Sequence, residues 1–146
     1  MKLTDALRGE HGVFYAQFDY IEHSVPAVED LALLKTQAAM LASALATHAQ
    51  LEEELLFQAL DPDAGALGPL TVMRAEHEQV EGGLSKIPNI TDLAEAQQLL
   101  LRIVEVARQH FAKEEQILFM LAEQSLDNQT LNDLGAQWAM RREVMI

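Results

Sequence analysis

One ten-residue phrase occurs twice in this chain. His48-Ala-Gln-Leu-Glu52-Glu53-Glu54-Leu-Leu56-Phe57 and His110-Phe-Ala-Lys-Glu114-Glu115-Gln-Ile-Leu118-Phe119 share the pattern H-x-x-x-E-E-x-x-L-F. Residues four apart on a helix lie one turn above each other on the same face, so each phrase presents an imidazole beside a carboxylate. Upstream of each stands a second shared phrase, Arg8-Gly-Glu10-His11 and Arg74-Ala-Glu76-His77. The order R-x-E-H, then H-x-x-x-E-E-x-x-L-F, therefore describes two related helical hairpins. Face to face, they would gather His11, His48, His77 and His110 with Glu52 and Glu114, a metal site in outline.

At 146 residues the chain is expected to form a single domain with a sizeable core. Its aromatic share is only 5 %, while Ala and Leu abound, which favours helices over a β-sandwich. A formal net charge of −13 argues against nucleic acid and against an anionic membrane surface as partners. The lack of cysteine excludes disulfides, thiolate zinc sites and iron–sulfur clusters. With no apolar signal region near Met1 and no apolar run of spanning length, a soluble cytoplasmic protein is the expectation.

Apolar residues recur in alternating steps of four and three along four stretches. The first predicted helix is capped by Thr4, runs to about Glu22 and carries Leu7, His11, Phe14, Phe18 and Ile21 on one seam. The second, about Ala27 to Leu60, has Leu34, Ala38, Leu41, Leu45, His48, Glu52, Leu55 and Ala59. A loop is expected from Asp61 to Pro69, with Pro69 in the first turn of a third helix that reaches about Glu81 and is ended or loosened by Gly82-Gly83. Its seam is Leu70, Met73, His77 and Val80. The fourth helix, capped by Thr91 or Asp92, carries Leu93, Ala96, Leu100, Ile103, Ala107, His110, Glu114, Ile117 and Leu121. The architecture predicted is all-α, an up-down-up-down four-helix bundle over about 4–121. An additional short C-terminal helix, about 129–142, carries Leu131, Leu134 and Trp138.

In each seam a His, joined in the second and fourth by a Glu, stands where the rest of the row is apolar. A carboxylate inside a bundle is costly unless a cation compensates it, and buried imidazoles also need partners. Iron, manganese or zinc would satisfy both demands. Glu52 and Glu114, one from each hairpin, are natural bridges between two ions, with two of the four histidines terminal on each. An octahedral ion so held keeps room for a bridging oxide or hydroxide and an open position for dioxygen, peroxide or nitric oxide.

Taken together, the lone His11, His48–Glu52, the lone His77 and His110–Glu114 resemble the hemerythrin-like family, the HHE cation-binding domains. The resemblance implies a four-helix bundle holding a non-haem di-iron centre, and it is what selects iron over manganese or zinc. Oxygen-carrying members have two histidines four apart on the third helix and an aspartate five residues after the histidine of the fourth. Here that face of the third helix offers Met73, His77 and Glu81, and the fourth has Glu114 four residues on. This carboxylate-richer set is closer to the bacterial sensing, iron-handling and stress-response members. It makes Glu81 a candidate seventh ligand.

Single histidines on apolar faces are usually ordinary core residues; the duplication is what sets these four apart. His23, near Pro26 with no glutamate at i+4, reads as a helix-end residue. Glu10, Glu53, Glu54, Glu76 and Glu115 point away from the seam, to the surface or to supporting roles. Tyr15, one turn from His11, is core or else a phenol placed to hydrogen-bond a bound oxygen species or tune the metal. Leu56, Phe57, Leu118 and Phe119 are expected to wall the site. The leading functional expectation is a di-iron protein that binds or reacts with dioxygen, nitric oxide or peroxide in an oxygen, redox or nitrosative response. Iron handling, as ferroxidase, store or donor for iron-centre repair, uses the same ligands. A metal-free helical interaction module is the third class. The sequence leaves oligomeric state open.

Overall fold

The computed structural model describes residues 1–64 and 68–146, apart from the side chains of 62–64, and among these residues there is no strand. Helix α1 spans Leu3–Ser24. Helix α2 is a continuous rod over 31–64, made of Leu31–Leu51, a π-helical segment Glu52–Phe57 and Gln58–Ala64. Helix α3 is Pro69–Lys86. Helix α4 covers 93–125 as Leu93–Lys113, a second π segment Glu114–Leu118 and Phe119–Ser125. Helix α5 is Asn128–Arg141.

Helix α4 packs against α1, α2 and α3, and α2 also packs on α3. Two apolar cores fix the directions. One gathers Phe14 and Phe18 of α1, Leu41 and Leu45 of α2, Val80 and Leu84 of α3, and Leu100 and Phe111 of α4. The other gathers Leu3 and Leu7, Leu56 and Phe57, Leu70 and Met73, Leu118 and Phe119. Along α1 and α3 the chain passes from the second core to the first; along α2 and α4 it returns. The bundle is therefore up-down-up-down, with α5 added. Each buried Leu or Phe contributes about 1.5–3 kcal/mol. The residues between the two cores are polar, and all are buried: His11, His48, Glu52, His77, His110 and Glu114.

The two hairpin turns use one device. Pro26 and Pro88 each sit in a short 3₁₀ turn, Val25–Ala27 and Ile87–Asn89. The next helix is then capped by aspartate. Asp30 accepts from the Ala32 N–H at 2.9 Å, and Asp92 from the Glu95 N–H at 3.1 Å. The second helix thus starts at Leu31, not near Ala27, because the chain from Pro26 to Asp30 is spent on the turn. Thr4 is not a cap either: α1 begins at Leu3, and the buried Thr4 hydroxyl donates to Glu123 at 2.8 Å.

Two further expectations fail. Gly82-Gly83 does not end α3, which continues to Lys86. A Cβ at Gly83 would lie 2.9 Å from Ile103 Cγ1, so glycine is there to let α3 approach α4. The expected loop at Asp61 is helical as far as Ala64, Pro69 does open α3, and 65–67 lie outside the described residues.

The seams also shift after each glutamate. Ile117 is 51 % exposed, whereas Leu118, Phe119 and Ala122 are buried; on α2 it is Leu60, not Ala59, that is fully buried. A π turn carries one extra residue, and one residue is about 100° of helix rotation. The two π segments start at Glu52 and Glu114, so everything beyond them is re-aimed by one position.

Candidate metal centre

Two groups of ligand atoms converge in the polar layer. His11, His48, Glu52 and Glu114 form one; Glu52, His77, His110 and Glu114 form the other, each with its donor atoms within 4.8 Å of one another. Both glutamates belong to both groups. Glu52 Oε1 lies 3.1 Å from His48 Nε2, while its Oε2 lies 3.3 Å from His77 Nε2. Glu114 Oε1 lies 2.8 Å from His110 Nε2, and Oε2 3.2 Å from His11 Nε2. Each carboxylate thus offers one oxygen to either side.

The other ring nitrogen of every histidine meets a carboxylate. Nδ1 of His11 pairs with Glu115 at 2.8 Å, His48 with Glu10 at 2.5 Å, His77 with Glu53 at 2.9 Å and His110 with Glu76 at 2.7 Å. This accounts for the glutamate of R-x-E-H and the second glutamate of E-E, while Glu54 instead pairs with Gln50 and Arg141. The arginines of the repeat have a role too. Arg8 lies over the Phe119 ring at 5.3 Å, and Arg74 over Phe57 at 5.5 Å. Those phenyl rings stack on His11 and His77, at 5.4 and 5.6 Å.

An ionised carboxylate only accepts hydrogen bonds, so a neutral imidazole paired with one keeps its proton on Nδ1 and aims the Nε2 lone pair inward. His11 Nε2 and His48 Nε2 stand 3.2 Å apart, a separation at which two N–H groups would repel. All four oxygens of Glu52 and Glu114 lack a hydrogen-bond donor among the described residues, although both side chains are 0 % exposed. Leaving such charges uncompensated costs several kcal/mol per ion. With protons as the only cations, burial opposes charge on the histidines, but the carboxylates beside them prevail. Glu114 and Glu52 raise His11 to about 9, Glu52 with Glu10 raises His48 to about 10, and Glu114 with Glu52 raises His77 to about 11. Glu52 is held well below the usual carboxylate range by His48, against the effect of burial. Inward lone pairs and bare carboxylate oxygens fit a pair of cations, and the two groups suit a binuclear metal site.

The six seam residues are thus brought together. Glu81 is not with them: it is exposed, and its carboxylate belongs to neither group. Tyr15 does not aim into the layer; its hydroxyl donates to Glu115 at 3.2 Å and so acts on His11 through that carboxylate. His23 is exposed in the last turn of α1, as its position suggested. Leu56, Phe57, Leu118 and Phe119 are fully buried against the layer.

Two features carry no signal in the repeat. Phe111 stacks on His11 with centroids 3.9 Å apart and planes 9° from parallel. Helix α5 lies against α1, where Trp138 Nε1 and Arg142 Nε donate to Glu10 Oε1 at 2.8 and 2.7 Å. Those two donors and His48 hold Glu10 down to about 2 against burial. In the second hairpin the same duty falls to Lys113, which pairs with Glu76.

A family model described as the hemerythrin HHE cation binding domain matches residues 2–122. No curated protein and no solved structure matches the chain. Among the described residues no helix is long and apolar enough to cross a membrane.

Proposed function

Because the chain belongs to the hemerythrin HHE cation-binding family, we propose that its polar layer holds two iron ions and that the protein binds or reacts with a small ligand such as dioxygen, nitric oxide or peroxide. In this reading His11 and His48 would hold one ion and His77 and His110 the other, with Glu52 and Glu114 each offering one oxygen to either side. When bound, the iron pair would supply reversible one-electron chemistry.

The chain's own residues prepare the site for that role. Glu10, Glu53, Glu76 and Glu115 fix the histidine tautomers and make the imidazoles better donors. The two anionic glutamates offset the cationic charge, and the cores above and below exclude water. The observation that supports the reading most is the set of four donor-less carboxylate oxygens buried among inward-facing imidazoles.

The test is metal analysis of freshly purified protein, with visible spectra before and after dithionite. Two irons per chain and a visible band bleached by reduction are expected. Protein that takes up no iron under anaerobic Fe(II) would overturn the reading.

A further inference from the structure

The outward faces of the bundle helices are not alike. Between Leu31 and Leu51, α2 runs for 21 residues with Lys35 as its only Lys, Arg, Asp or Glu, in a chain where 23 % of residues are charged. Lys35 itself is half-buried and donates to the Pro88 carbonyl at 2.9 Å. The adjoining exposed residues of α1, Val13, Ala16, Gln17 and Tyr20, are uncharged as well. Asp19 and Glu22, the nearest charges of α1, turn the other way and pair with Arg108 of α4. Helices α1 and α2 pack on each other less closely than α1 on α4 or α2 on α3. Between them lies a groove of about 570 Å³, lined by the buried Ile21 and Leu41 and by Val13, Ala16 and Ala44. Met40 and Tyr20 also border it, yet they are 71 % and 64 % exposed, so both project beside the groove.

We infer that this face is where a second copy of the chain docks, in a two-fold contact centred on Met40 at the middle of α2. Three observations select that occupant. The first is charge. At −13 each, two copies repel one another wherever their carboxylates meet, and this face brings none together. The second is shape. A two-fold contact needs one patch to carry both a projection and the recess that receives it. Here Met40 and Tyr20 stand beside the groove they would enter on the other copy, and a flexible thioether fits an irregular recess well. The third is extent. The uncharged strip is about 31 Å long on α2 and about 18 Å on α1. At a helix width of about 10 Å, two copies together cover roughly 1,000 Å², the lower limit for a specific interface. The dimer is therefore reversible, with a Kd in the micromolar range. The metal layer takes no part in it, so the contact stands apart from the proposed function.

Sedimentation equilibrium of the full chain as purified, from about 1 µM to about 500 µM, tests it. The mass should rise from 16.2 kDa towards twice that value. Met40→Glu sets carboxylate against carboxylate at the centre and should raise Kd at least tenfold. The same change at Met120, an exposed methionine of α4, should leave Kd unchanged. Added salt should tighten the dimer, because screening removes long-range repulsion and there is no ion pair to weaken. The chain has no cysteine, so Met40→Cys under mild oxidation should join two chains through one disulfide, and Met120→Cys should not. Circular dichroism melts of the variants establish that these exposed positions leave the fold intact. A monomer at every concentration would overturn the inference, as would a dimer that Met40→Glu leaves unchanged or that salt dissociates. Iron analysis of the same samples decides the proposed function independently.

Discussion

The two halves of the metal layer have the same ligands and different surroundings. On the His11–His48 side the helices are packed with Phe14, Phe18 and Phe111, and Glu10 is gripped by two donors from α5. On the His77–His110 side the corresponding places hold Val80, Leu84 and Ala49, and Glu76 is held by a single lysine on the neighbouring helix. The ligand chemistry leaves little freedom, because each carboxylate must face both sides and each imidazole needs an acceptor behind it. Packing volume is free to differ. One side is thus packed with aromatic rings and the other with smaller side chains.

The largest expected effect tests what the halves share. Glu52 and Glu114 each serve both ligand groups. Replacing both by Ala should reduce bound iron from two per chain to background, measured by elemental analysis. If the double variant keeps two irons, the halves do not depend on common bridges.

The next separates loaded from metal-free protein by pH. In the metal-free chain the raised values of about 9 for His11 and about 11 for His77 exceed the ordinary 6.5. A group with a raised folded-state pKa stabilises fully below its unfolded value and loses that contribution as pH rises through the folded one. The melting temperature of metal-free protein should therefore fall between pH 6.5 and about 11, while metal in place of those protons flattens the curve. Parallel thermal melts across that interval check it.

A smaller effect distinguishes the halves. Trp138→Phe combined with Arg142→Gln releases Glu10 and should weaken metal binding on the His48 side about tenfold, with the other side unchanged. Lys113→Gln should do the reverse. Chelator competition with stepwise metal release reads both; equal weakening of both ions by either variant would erase the proposed difference.

Much of this was legible in the sequence because helical periodicity and a duplicated motif are local patterns. The seams through His11, His48, His77 and His110 placed six polar residues in one layer, and Asp92 stood as one of two candidate caps. The π segments were not legible. Nothing in E-E-x-x-L-F marks a widened turn, since the extra residue is absorbed inside the helix and shows only in which later residues are buried. Gly83 read as a stop because the nearness of Ile103 is a tertiary fact. Trp138 and Arg142 lie outside the repeat and meet Glu10 across 128 and 132 residues of chain. The pairing of Tyr15 with Glu115 likewise joins α1 to α4, a contact that the step of four from His11 does not reveal.

The central claim is that cations hold buried charge in the middle of this bundle. Calorimetric melting of the same preparation at pH 7, with and without iron, tests it most directly. Tight binding is worth about 4 kcal/mol at a thousandfold excess over Kd, and each kcal/mol moves a domain of this size by about 2–4 °C. The loaded protein should therefore melt about 10 °C higher; identical melting of the two forms would contradict the account.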